Sequence, residues 1–193
     1  MAQELAAALG GPLVTSTVSR LLVDLNRSIG HPQLFSATTR RLSPTIREEI
    51  LARYYRPYRE QVEQVVGQAV AAGRPVIHIS SHSFTPELDG NVRRADVGLL
   101  YDPVRPGEAS LCSRWKASLA GLAPTLRVRR NYPYAGKGDG LTAYLRRRFT
   151  TRAYIGIELE VNQATVLAGE PAWSVLRALL LGSLRAASAT GIA

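Results

Sequence analysis

The stretch "AYIGIELEV", residues 153–161, decides the fold. Its apolar residues alternate with a glycine and two glutamates, the period-two pattern of a strand. Glu158 and Glu160 are two apart, so on a strand both side chains point to one face. Two acids on one face of a buried strand are costly unless they are paired or put to use. One reading pairs them with arginines. The other makes one of them a general base and the second its supporting carboxylate.

Other elements follow outward from this strand. "PVIHIS" and "ADVGLLYDP" are short buried-strand candidates, and "TLRVRR" is a third. "PLVTSTV" is β-branched and also reads as a strand. Between them lie helices: "MAQELAAALG" ending at Gly10, residues 108–121, "LTAYLRRRF", and the closing "EPAWSVLRALLLGSLRAASA". From Ser43 to Gly73 apolar residues recur at helical spacing, with Ser43 as the cap and Pro57 expected to kink the helix. Strands that alternate with helices predict a single α/β domain over 1–193, a three-layer αβα unit with a mostly parallel or mixed sheet. Sites in such folds gather at the C-terminal ends of strands.

Composition removes several function classes. With 46% hydrophobic residues and 193 residues in all, the chain reads as globular and able to bury a core. No apolar stretch spans a bilayer, and the acidic start is a poor signal peptide, so a cytoplasmic protein without a membrane partner is expected. One cysteine, Cys112, excludes a disulfide framework and a multi-cysteine zinc site, and reads as a buried thiol. Arginine dominates the net charge of +9, with runs at 92–94, 127–130 and 146–148. They are spread over several elements with few aromatics between them, so nucleic acid is not the expected partner. Surface arginines, or a cleft that draws an anionic small molecule, are the remaining readings.

"RPVIHISSHSFTPELDG", residues 74–90, carries His78 and His82. On one continuous strand they share a face but lie about 13 Å apart, at about 3.3 Å per residue. Metal ligands sit about 2 Å from a zinc, so the simpler reading gives one ligand and one structural histidine. His82 heads the loop and is the candidate ligand; His78 is expected to be buried with a satisfied ring nitrogen. "DLNR" sets Asn26 beside Arg27, apt for a substrate carboxylate. "AGKGDGLT" is not a phosphate loop, since Lys137 precedes a glycine and not Ser or Thr. Ser81 and Ser83 lack a nucleophile elbow.

Six stretches in order carry a resemblance: "STVSRLLVDLNRS", "YYRPYREQVEQVV", "HISSHSFTPELDG", "RRADVGLLYDPVR", "RRNYPYAGKGDGLTAYLRRRF" and "YIGIELEVNQ". From about Thr15 to Gln163 the chain resembles the N-formylglutamate amidohydrolase family. The resemblance implies a hydrolase-like fold related to the zinc carboxypeptidases, and a zinc-dependent hydrolysis of N-formyl-L-glutamate to formate and glutamate, as in histidine breakdown. By position it implies His82 as a zinc ligand and Glu160 as the base, with Glu158 in reserve. It implies Asn26, Arg27, Asn131 and Tyr134 around an anionic N-acyl amino acid. Its other zinc ligands would come from a segment ahead of "SRLLVDLNR", and the fourteen residues before Thr15 hold no histidine. A truncated reading frame, weak zinc affinity and little turnover are therefore expected of the chain as given. A non-catalytic relative that binds an anionic ligand is the second expectation. Oligomeric state is not legible.

Overall fold

The alternation around Glu158 produces a strand buried along its whole length, Tyr154–Asn162, at the centre of the sheet. The computed structural model describes residues 1–189, so the last four positions of the expected 1–193 unit lie outside the described residues. Numbered along the chain, the sheet contains β1 (Val76–Phe84), β4 (Val97–Leu100), β5 (Val128–Arg130) and β6 (Tyr154–Asn162), in the order β1-β6-β4-β5. β1 runs parallel to β6 and β4 parallel to β5, whereas β4 and β6 are antiparallel. The sheet is mixed. A small hairpin, β2 (Glu87–Leu88) with β3 (Asn91–Val92), stands apart from it.

The two faces of β6 differ in chemistry, and this sorts the layers. Ile155, Ile157, Leu159 and Val161 point to one side, into a core shared with α4 (Pro106–Leu122) and α7 (Ala172–Ala189). Trp115, Leu119, Leu180 and Leu184 are wholly buried there, and the Trp115 indole donates to Ser183 Oγ at 2.9 Å. On the opposite side α3 (Arg56–Ala71) and α5 (Leu141–Arg148) pack Val62, Val66 and Leu145 against Tyr154. α1 (Ala2–Leu9) lies against α7. A separate cluster of Val23, Leu34, Ile50, Leu51 and Tyr55 fastens the loop that contains "DLNR".

Local signals act as expected at several ends. Gly10 and Gly73 close their helices at φ 64° and 72°, the left-handed region open to glycine. Ser43 Oγ accepts from Ile46 N at 3.3 Å and caps α2 (Pro44–Ile50). Pro57 does not break the long helix. A π-helical turn over Leu51–Tyr55 joins α2 to α3 and widens the spiral just before the residue that has no amide to donate. "PLVTSTV" is not a strand, because no neighbour among the described residues pairs with it and Leu13 lies 41% exposed. The short helix α6 (Gln163–Leu167), capped by Asn162, was not expected.

One arginine run has a role that its letters do not show. Arg146 is buried while Arg147 and Arg148 are exposed. Its Nε donates to Glu108 Oε1 at 2.9 Å, and its other nitrogens donate to the carbonyls of Gly136 and Gly156 at 2.5 and 2.8 Å. Glu108, with no exposed surface, also accepts from the amides of Asp102 and Gly156 and lies 3.3 Å from Arg105 Nε. Arg105 in turn donates to the carbonyls of Phe149, Thr150 and Tyr154. This buried charge cluster joins α4, α5, β6 and the glycine-rich loop.

Candidate active site

β1 and β6 run in step, so His82 sits beside Glu160 and Ser80 beside Glu158. Paired residues of adjacent strands share a face at a spacing of about 4.8 Å. The face is the one turned to α3 and α5, and it holds His78, Ser80, His82, Glu158, Glu160 and Asn162. Sequence-predicted His82 and Glu160 are therefore neighbours. Because β1 stays continuous from Val76 to Phe84, His78 and His82 are two pleats apart, and the chain does not bend to bring them together.

The two histidines have distinct partners. His78 Nδ1 lies 2.8 Å from the Tyr154 hydroxyl, and burial pushes its pKa down to about 4, with His82 and Arg146 adding to the effect. It is the satisfied, neutral histidine that its position in "VIHIS" suggests. His82 Nε2 lies 2.8 Å from Ser80 Oγ. Burial lowers its pKa too, against an opposing pull from Glu158.

The two glutamates are also unlike. Glu158 Oε1 accepts from Thr142 Oγ1 at 2.5 Å. Glu160 is 5% exposed, and its Oε2 is buried with no hydrogen-bond partner among the described residues. Burial first, then the charge of Glu158, raises the Glu160 pKa to about 7, while Arg20 and Arg93 hold it back. A carboxyl group poised near neutrality is suited to accept a proton in a reaction and give it back.

A loop of residues 131–140 covers β4 on the glutamate side. Gly98, opposite Glu160 in β4, makes this possible: a Cβ there would overlap the Tyr132 carbonyl oxygen and sit 3.2 Å from Glu160 Cβ. Gly140 is similarly close, with a hypothetical Cβ 3.2 Å from both Asn26 Oδ1 and Glu158 Oε1. Gly98→Ala is accordingly expected to push the loop off the sheet and to lower stability by about 1–3 kcal/mol, as urea unfolding would measure.

Asn131 is left-handed, at φ 50°, and its Oδ1 accepts from the amides of Tyr101 and Gly136, so it braces this loop. Tyr134 is 46% exposed, and its hydroxyl accepts from Arg93 at 3.0 Å. Asn26 Oδ1 accepts from Leu141 N at 2.7 Å, which leaves its amide NH2 group free of partners among the described residues. Arg27 donates to the Asp139 carbonyl at 2.8 Å, and its Nε is buried 4.0 Å from Asp24. The Asp139 carboxylate receives Ser28 through both backbone and hydroxyl. Thus "DLNR" and the glycine-rich loop clamp each other, and the glycines serve close approach.

A cleft of about 570 Å³ follows the free edge of β1, with Arg20, Asp24, Asn26, Ser80 and His82 in its wall. Glu160 lies one strand further in. No local pattern points to Ser80, Thr142 or Asp139 as partners here, since each depends on which loop meets which strand. Arg93 was visible only as part of a basic run.

A catalytic zinc normally has three protein ligands. Among the described residues no three His, Cys, Asp or Glu side chains gather to hold a metal ion, and the Nε2 of His82 is engaged by Ser80. The orphaned Glu160 oxygen would add one contact to a cation. The donors present do not fit a complete zinc site, and the chemistry below is derived from the side chains alone.

A family model described as "FGase: N-formylglutamate amidohydrolase" matches residues 1–167. The crystal structure of gene product Atu2144 from Agrobacterium tumefaciens is similar at a TM-score of 0.82 and 26% identity, covering 98% of this chain and 75% of that one. The crystal structure of N-formylglutamate amidohydrolase from Ralstonia eutropha JMP134 shares the fold at a TM-score of 0.64 and 20% identity, over 97% of this chain and 81% of that one. No curated protein matches. Among the described residues no helix is long and apolar enough to cross a membrane.

Proposed function

The chain belongs to the N-formylglutamate amidohydrolase family, and from that premise we propose that it hydrolyses the amide of N-formyl-L-glutamate, or of a similar N-acyl amino acid, with Glu160 as the general base. One observation carries the reading: a buried carboxylate oxygen without a partner, on a group whose pKa lies near 7, beside His82. Glu160 takes a proton from water as the water oxygen bonds to the formyl carbon. The positive charge of Arg20, which acts at Glu160, favours the oxyanion. As the C–N bond breaks, Glu160 returns the proton to the leaving nitrogen, and formate and the free amino acid result.

Asn26, through its free NH2, and the remaining N–H groups of Arg27 take the α-carboxylate. Asn131 holds the loop shape, and the exposed Tyr134 stands beside Arg93. In this reading the chain works in the cytoplasm, with a small anion as its partner, in the breakdown of histidine.

Zinc enters as a binding prediction. One imidazole among the described donors gives micromolar or weaker affinity and slow turnover; calorimetric titration and a formate-release assay measure both. Submicromolar binding with rapid turnover would mean that other ligands complete the set. The incomplete donor set also favours a second reading, a non-catalytic relative that binds anionic ligands. That reading requires stabilisation by N-formyl-L-glutamate that chelators do not change, with no formate released.

A further inference from the structure

We propose that Arg93 is the specificity-determining residue of this site, receiving the side-chain carboxylate of an N-acyl amino acid as long as glutamate. The inference rests on the amidohydrolase reading of the site and deepens it by naming the group that selects the substrate class.

Arg93 is held as a presented cation. Its NH1 donates to the Tyr134 hydroxyl at 3.0 Å. Its guanidinium carbon lies 5.1 Å from the Tyr134 ring centre and 6.0 Å from that of Phe84. Stacking of this kind restrains a side chain while leaving its in-plane N–H groups open. Its backbone is fixed as well, since Asn162 Nδ2 donates to the Arg93 carbonyl at 3.1 Å. Among the described residues it has no carboxylate partner. Arg20, by contrast, is paired with Asp24 at 2.8 Å, and Arg27 gives one N–H to the Asp139 carbonyl and lies 4.0 Å from Asp24.

The position sets the length of the ligand. Phe84 and Asn162 are register partners two residues beyond His82 and Glu160, on the same face. Two residues of strand advance about 6.6 Å. In an N-formyl amino acid of glutamate's length, five bonds separate the formyl carbon from the side-chain carboxyl carbon. Extended, these span about 6 Å at ordinary bond lengths. The α-carboxylate is three bonds away and falls too short for Arg93, so it is left to Asn26 and Arg27. The restrained fork of Arg93 thus meets a second carboxylate at the distance that glutamate supplies and aspartate does not.

The test compares wild type, Arg93→Met and Arg93→Lys, each checked by thermal melting. Calorimetry gives Kd for N-formyl-L-glutamate, N-formyl-L-aspartate and N-formyl-L-glutamine, and formate release is followed in parallel. The wild type is expected to bind the glutamate compound at least about tenfold more tightly than the other two. Arg93→Met is expected to lose about 10- to 100-fold on that ligand alone, as for a hydrogen bond to a charged group. Arg93→Lys recovers part of it. Unchanged affinity in Arg93→Met, equal losses on all three ligands, or no wild-type binding of the glutamate compound overturns the assignment. Selective binding without any formate release sinks the hydrolase reading and leaves Arg93 in place. Formate release that survives with unaltered selectivity in Arg93→Met does the reverse.

Discussion

Glu160→Gln is expected to reduce formate release from N-formyl-L-glutamate by about 10²- to 10⁴-fold and, at pH 8, to raise the melting temperature. The two effects share a cause. Burial and the neighbouring charge of Glu158 make ionisation of Glu160 unfavourable, which lifts its pKa from 4.5 to about 7. The native state therefore binds this proton more tightly than the unfolded chain does. Stability falls as pH rises from about 4.5 to about 7 and stays reduced above that range. The shift corresponds to roughly 3 kcal/mol at alkaline pH. Glutamine has the same shape and no charge to strand, so its advantage appears above neutrality and fades near pH 4. Activity runs the other way: the wild-type rate rises with pH through about 7 as the base loses its proton. A variant with full activity and an unchanged pH profile would remove Glu160 from the mechanism and make Glu158 the next group to test.

Glu108→Gln is expected to destabilise the protein by about 3–5 kcal/mol, a drop in melting temperature of roughly 10 °C. The substitution barely changes volume. What it removes is the negative charge facing Arg146 at 2.9 Å and Arg105 at 3.3 Å, both largely buried. Those two guanidiniums then remain among carbonyls with no anion, the costly case for a buried ion pair. A second change, Arg146→Met, is expected to recover part of the loss, because it removes one of the stranded charges. The pair is coupled if the double variant is more stable than the two single losses imply. Urea unfolding of the four proteins measures this. A loss below about 1 kcal/mol for Glu108→Gln would show that backbone amides satisfy residue 108 without its charge.

Much of the frame was legible because it rests on local chemistry. The alternation in "YIGIELEV" puts Glu158 and Glu160 on one face and the isoleucines on the other, as β6 does. Ser43, Gly10 and Gly73 act at the helix ends where their side chains or freedom at positive φ act in any chain. The rest depends on contacts between distant segments. Nothing in "TLRVRR" or "ADVGLLYDP" says that β4 runs against β6 and along β5. "RRR" has three identical letters, yet helix phase turns only Arg146 inward. Glu158 and Glu160 look alike in sequence, and only the arrival of Thr142 on α5 makes one a satisfied acceptor and leaves the other without a partner. "PLVTSTV" has the composition of a strand, but a strand is defined by a partner, and it has none among the described residues.

The in-step pairing of β1 with β6 leaves this part of the gene intolerant of single-codon length changes. One residue gained or lost between Pro75 and His82 would carry the imidazole through the sheet toward Trp115 and put a serine, Ser81 or Ser83, in its place beside Glu160. Two residues would restore the face but shift the imidazole a full pleat from its carboxylate. Length variation is expected instead at the Asp89–Gly90 tip of the small hairpin, which no strand of the main sheet depends on for its alignment.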